Sequence, residues 1–162
     1  MIDFCKENLR LLKDDLSYRR IFEIYCTRNA HLTSAEYMLD GEIVKITFAE
    51  YEYAVRHVAD KLIKILSDKP KGGFVAVKVD NCPEWPAYYW GILMAGYKPF
   101  MLDFRHGEAI TEFFLKEAAA VALLSTKEEA VPEGVTLINA NDLLKLGGRE
   151  ILEIIEKYKK LP

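Results

Sequence analysis

Few stretches of this sequence combine residue types that could do chemistry, and each of them has a plainer reading. Glycine pairs stand at Gly72-Gly73 and Gly147-Gly148. A loop that cradles phosphate needs several glycines at fixed spacing, followed by Lys and Ser or Thr, so that backbone N–H groups and an ammonium converge. Neither pair has that context, and both are read as helix stops. Asp103, Arg105 and His106 are more suggestive, because they follow an apolar run read as a strand, and open α/β sheets bind ligands beyond the carboxyl ends of their strands. A loop role is nonetheless the reading taken for them. His31 and His57 are distant from His106 in sequence, and His57 lies on a charged helix, where solvent exposure is expected. Trp85, Tyr88, Tyr89 and Trp90 resemble a stacking platform. The i, i+3, i+4 spacing of the first three is instead that of a packed helix face, with Trp90 at its edge. The acidic pairs Asp14-Asp15 and Glu128-Glu129 are consecutive, so their side chains diverge, and both are read as solvated surface. No residue is assigned as catalytic, cofactor-binding or metal-ligating.

The elements that would position these residues can be taken in chain order. A charged opening leads into a short amphipathic helix from about Ser17, with Ile21, Phe22 and Tyr25 on one face. Residues 34–39 and 42–48 flank Asp40-Gly41, the dipeptide that favours a type I′ hairpin. Thr47 and Glu50 have capping-box spacing and open a helix that turns Tyr51, Val55, Val58, Leu62, Ile65 and Leu66 inward. After the loop 69–73, residues 74–79 form a valine-rich run, as a strand buried on both faces would. Asn81 and Glu84 repeat the capping-box spacing, and a helix over 82–95 follows, with Trp85, Tyr88, Tyr89, Ile92 and Leu93 as its apolar stripe. Pro86 sits slightly too deep in that helix and is expected to cost a hydrogen bond. Gly96 ends the helix, Pro99 prevents its resumption, and 100–102 is the next strand, which completes a right-handed βαβ unit.

The remainder continues the alternation: a helix carrying Ile110, Phe113 and Phe114, then strands at 121–124 and 135–138. A short helix follows, capped by Asn141 and stopped by Gly147-Gly148, and then a last amphipathic helix with Ile151, Ile154, Ile155 and Tyr158. Strands alternating with helices predict an α/β layered fold. It has a largely parallel sheet with helices on both faces and an N-terminal β-hairpin, in one domain over 1–162.

The stretch VAVKVDNCPEWPAYYWGILMAGYKPFMLD resembles the amino-terminal segment of adenylate-forming ligases. That superfamily includes acyl-CoA synthetases, carrier-protein adenylation domains and luciferase. ITFAEYEYAVRHVADKL upstream is similar to the family's Thr-Tyr-x-Glu-Leu helix start, and EAITEFFLKEAAAVALLST downstream to its next helix and strand, so the resemblance runs in order over about 34–126. It implies that the parent joins a carboxylate to AMP with release of pyrophosphate, and then passes the acyl group to a thiol of CoA or of a carrier's phosphopantetheine. ATP, magnesium and CoA or phosphopantetheine are the cofactors implied for that full-length parent. The family's phosphate loop, its magnesium Glu, its ribose-binding Asp and its carboxy-terminal Lys have no match here, and the phosphate loop is expected beyond Pro162. The resemblance thus implies an N-terminal scaffold fragment, inactive alone, whose partner is the remainder of the ligase. Self-association through exposed apolar surface is expected, with the helix around 151–158 as the sticky element. The rival reading is a stand-alone, non-catalytic α/β binding or interaction module derived from the same family. A doubly wound nucleotide binder is disfavoured, because no Gly-x-Gly-x-x-Gly follows any strand.

Composition narrows the field further. A chain of 162 residues that is 51% hydrophobic suits one domain with a real core, and a net charge of −3 spread along the chain argues against a nucleic-acid surface. Cys5, Cys26 and Cys82 lack the spacing of a disulfide framework or zinc site, which points to a reducing, cytoplasmic setting. The charged amino terminus does not read as a signal peptide, and no stretch approaches a membrane span.

Overall fold

The computed structural model describes residues 6, 9–13 and 15–160. Cys5 and Asp14 therefore lie outside the described residues. Ser17 is extended, and its hydroxyl oxygen accepts from the Arg20 N–H, so α1 (Tyr18–Arg28) starts there and buries Phe22 and Cys26. Asp40 and Gly41, at φ of 53° and 85°, both take the left-handed conformation that a type I′ turn demands, joining β1 (Thr33–Leu39) to β2 (Glu42–Thr47). The Thr47–Glu50 capping box forms in both directions and opens α2 (Phe48–Ile65). That helix buries Tyr51, Ala54, Val55, Val58, Ala59 and Leu62, whereas Ile65, expected inside, is 40% exposed.

Four strands make the main sheet: β3 (Phe74–Lys78), β4 (Lys98–Met101), β5 (Ala120–Ser125) and β6 (Thr136–Asn139). All pair in parallel, in the order β4-β3-β5-β6. Alternate side chains of a strand point to opposite faces. Val75 and Val77 accordingly join the larger core beneath α2, while Ala76 joins a smaller cluster with Leu102, Leu115, Ala120 and Leu123 on the other face. Of the crossover helices, α3 (Trp85–Met94) packs in the larger core, and α4 (Glu108–Glu117) supplies Leu115 to the smaller one. Helices α5 (Ala140–Leu143) and α6 (Arg149–Lys159) complete the larger core.

The first crossover helix, α3, differs from its sequence-based expectation in three ways. It begins at Trp85, and neither Asn81 nor Glu84 caps it with a side chain, because the Glu84 carboxylate is buried and accepts from Gly148 instead. Pro86 consequently stands in the first turn, where its missing N–H costs nothing. The buried stripe is Ala87, Tyr88, Gly91 and Ile92, not the larger residues on either side of it. A Cβ at Gly91 would stand 2.5 Å from Val58 Cγ1, so small residues let α3 approach α2 closely, and Trp85 and Trp90 are left half-buried at the margins. Trp85 stacks on Tyr89 at 6.0 Å, and Trp90 lies 5.0 Å from the Phe22 ring. Trp85→Ala and Trp90→Ala should therefore destabilise to similar extents, each by less than the roughly 3–5 kcal/mol of a fully buried aromatic. Urea denaturation of both variants checks this, and a loss at Trp85 far above that at Trp90 would restore the expected stripe.

The carboxyl-terminal third brings further corrections. Asn139, not Asn141, caps α5, and the Asn141 side chain accepts from the Leu146 N–H at 3.2 Å. Gly147 and Gly148 do not stop that helix; Gly148, at φ 79°, is the residue from which α6 departs. The apolar face of α6, expected to be exposed, is covered within the chain. Ile151, Ile154 and Ile155 are buried in the larger core, Tyr158 stacks on Tyr53 at 5.2 Å, and Lys159 pairs with Glu50 at 2.8 Å. Among the described residues, no helix is long and apolar enough to cross a membrane.

Candidate functional site

In an open parallel sheet the place to look for a ligand is beyond the carboxyl ends of the strands. There a cleft of about 340 Å³ is lined by Lys78 from β3, Phe104 to Glu108 after β4, and Lys127 to Glu129 after β5. Its floor is a buried ion pair. Lys78 Nζ donates to both carboxylate oxygens of Glu129 at 2.8 and 2.9 Å, and the two side chains are 4% and 6% exposed. Ser125 Oγ stands 3.4 Å from the same carboxylate and accepts from the Lys127 N–H at 3.1 Å, so the turn after β5 folds back over Lys78. Glu128 is exposed as expected; Glu129 is not the solvated side chain its acidic neighbour suggested.

Sequence reasoning missed Lys78, Ser125 and Glu129. Lys78 offered one signal, since period-two alternation along 74–78 places it on the same face as Ala76, inside the protein. Glu129 offered none, because its partner is 51 residues away.

Asp103, Arg105 and His106 do meet at the rim. The Asp103 carboxylate accepts from the Arg105 N–H and Nε, each at 2.9 Å, and this pairing holds it well below the usual carboxylate range. Its backbone carbonyl accepts from the His106 N–H at 3.0 Å. The His106 ring stacks on Phe114 with 5.9 Å between centroids, and its buried Nδ1 has no partner. Every charge on the cleft floor thus faces a neutralising partner, and the Asp103–Arg105 pair organises its own turn. All three residues lie in the turn between β4 and α4.

A second buried carboxylate lies at a three-way junction. Glu84, 0% exposed, accepts through Oε1 from the Gly148 N–H, and its Oε2 has no partner. The Gly148 carbonyl accepts from Tyr37 Oη at 2.7 Å. Tyr51 donates to the Pro83 carbonyl, and Tyr88 to that of Leu144 at 2.6 Å. Burial, then the nearby Glu84 charge, raises the Tyr37 and Tyr51 hydroxyls above the usual range. The Cys82 thiol is pushed up to about 12 by the same two causes in the same order, and Cys26 to about 12 by burial first and Glu52 second. Neither thiol is poised as a nucleophile.

The remaining candidates resolve into structural roles. His57 is half-buried rather than exposed; burial first, then Lys61, lowers it below the usual imidazole range. His31 is exposed. The Gly72 N–H donates to the Gly96 carbonyl at 2.8 Å and the Gly73 N–H to that of Pro70 at 3.4 Å, so with Gly148 these donors are consumed within the chain. As placed, they do not fit a triphosphate. Asp15 is exposed and accepts from the Ser17 N–H. No cluster of three or more His, Cys, Asp or Glu that could hold a metal stands among the described residues.

Comparison with known proteins gives a consistent answer at the level of fold. An artificially fused adenylation–PCP di-domain NRPS, NpsA-ThdA from Klebsiella oxytoca, superposes with a TM-score of 0.67 at 21% identity, over 78% of this chain and 23% of that one. The N-terminal subdomain of Klebsiella oxytoca NpsA, in complex with 3-hydroxybenzoyl-AMSN, gives 0.64 at 20% identity, over 76% of this chain and 30% of that one. The nonribosomal peptide synthetase FmoA3 in its α-methyl-L-serine-AMP-bound form gives 0.64 at 18% identity, over 83% and 15%. The chain therefore spans less than a third of the length of each of these neighbours. No curated protein matches it by sequence. Its architecture, a parallel four-stranded sheet flanked by helices beside an antiparallel hairpin, is that of an adenylation-domain N-terminal subdomain. Residues 23–158 match the model of the AMP-binding enzyme family, and the chain belongs to that family.

Proposed function

We propose that this chain is the amino-terminal scaffold of an ATP-dependent, carboxylate-activating ligase, and that it is inactive alone. The observation that carries the proposal is the AMP-binding family match over residues 23–158. The parent forms an acyl adenylate with release of pyrophosphate, and then a thioester with CoA or with a carrier's phosphopantetheine. ATP, magnesium and the thiol cofactor belong to the parent, and the partner of residues 1–162 is its remainder. A cytoplasmic setting is part of the proposal, supported by the free thiols of Cys26 and Cys82.

The role of the present residues is to hold shape. The Lys78 ammonium, buried at the strand ends, is committed to Glu129. Triphosphate binding needs several N–H donors converging with a cation and a carboxylate-held metal. Calorimetry with ATP and magnesium should accordingly show no binding at micromolar levels. Pyrophosphate exchange with fatty, aromatic and amino acids should stay at background. Carboxylate-dependent exchange by the pure chain would overturn the proposal.

A further inference from the structure

Helix α2 turns a row of residues at i, i+4 spacing, Tyr53, His57 and Lys61, toward the helices that end the chain. Contacts fix both ends of the row. Tyr53 stacks on Tyr158 of α6 at 5.2 Å, and Lys61 Nζ donates to the Asp142 and Leu143 carbonyls of α5 at 2.8 and 3.0 Å. His57 stands between them, one turn from each, and so meets α6. Its side chain is half-buried, and Nε2 is enclosed with no hydrogen-bond partner.

The charges around the ring offer that nitrogen no acceptor. Asp60 and Lys61 on α2, and Glu150 and Lys157 on α6, are the groups that act on it. Lys61 is held in place by its two carbonyls, Asp60 is exposed, and the Glu150 carboxylate accepts from the Lys145 N–H. Arg56 is paired with Glu52, Lys159 with Glu50, and Asp142 on α5 is exposed. Helix α3, across α2, has no charged side chain. A neutral ring leaves one acceptor nitrogen unmet, whereas a protonated ring would bring an N–H and a positive charge into the same enclosure, close to two lysines.

We propose that His57 is an acid-sensitive latch for α6: the helix docks on α2 only while the imidazole is neutral, and protonation releases it. The inference does not depend on the proposed function, since it concerns the hold on α6 and not the binding of ATP. An imidazole in an unfolded chain titrates near about 6.5. Burial, then Lys61, lowers that value in the fold, so the stabilisation is complete above the unfolded value and is lost as pH falls through it toward the folded one. Glu50, which holds Lys159 at the end of α6, is kept below the usual carboxylate range, so that link persists while His57 titrates.

Urea unfolding at fixed ionic strength, from about pH 7.5 to about pH 5, tests the proposal on the native chain and on His57→Gln. Below about pH 6.5 the folding constant of the native chain should fall, relative to that of His57→Gln, by up to about tenfold per pH unit, the limit for one proton. His31 and His106 are common to both proteins and cancel. In mild acid, hydrogen exchange corrected for its intrinsic rate should show 149–159 opening before β3 and β5 in the native chain, but not in His57→Gln. If His57→Gln does not fold, an NMR titration of the native chain decides, because folded His57 must titrate below about 6.5. Parallel pH profiles for the two proteins, an opening of α6 no earlier than that of the strands, or a His57 midpoint at or above the ordinary value would each overturn the latch.

Discussion

Glu129→Leu should cost the fold about 3–5 kcal/mol, because it strands the Lys78 ammonium at a 4% exposed position with no counter-charge. That is a large part of a domain's usual margin of about 5–15 kcal/mol. The reverse substitution, Lys78→Met, should be comparably harmful, since it leaves the Glu129 carboxylate buried beside an apolar chain. The pair is different. Replacing both by apolar residues of similar volume removes two desolvated charges at once, so Lys78→Met with Glu129→Leu should regain most of the loss. Urea denaturation of the two single variants and the double variant gives the coupling directly. Single losses within about 1 kcal/mol, the range of exposed ion pairs, would show that the charges are solvated in solution.

The other large effect is expected at Gly148. Its φ of 79° is strained for any residue with a side chain, and a Cβ there would sit well inside contact distance of the Tyr37 ring. Gly148→Ala should therefore combine a left-handed penalty of about 1–2 kcal/mol with overpacking of about 1–3 kcal/mol, giving a total near 3–4 kcal/mol. Gly147 is the internal control. Its φ is 108°, but a Cβ would meet nothing within 4 Å, so Gly147→Ala should show the backbone penalty alone. Equal losses at the two positions in thermal or chemical unfolding would mean that Tyr37 yields without cost.

Local features of the fold were legible because their causes are local. Asp40-Gly41 names its own turn, and Thr47 and Glu50 are three residues apart and find each other within one helical turn. The alternation of strands and helices gave the α/β class and the parallel sheet. What could not be read is what depends on distant residues. Glu84 had the right spacing to cap α3, but Gly148, 64 residues later, offers it an N–H inside the protein and the capping box does not form. Ala87 and Gly91 were not part of the stripe read from the sequence, yet their small size decides which face of α3 meets α2, a matter of fit between helices that hydropathy does not encode. The same limit applies at the strand ends. Asp103, Arg105 and His106 were readable as neighbours, whereas Lys78 and Glu129 were not readable as partners.

The Tyr37–Glu84–Gly148 junction also constrains the order in which the chain folds. Its two hydrogen bonds span 111 and 64 residues, so forming them means closing very long loops, while the hairpin and the first βαβ unit close much shorter ones. During synthesis Tyr37 and Glu84 emerge well before Gly148, and until it arrives Glu84 has neither its acceptor role nor its enclosure. Those loop lengths predict a clasp that fastens late, after the barrier is crossed. Loosening it by Gly148→Ala should quicken unfolding while leaving the folding rate nearly unchanged.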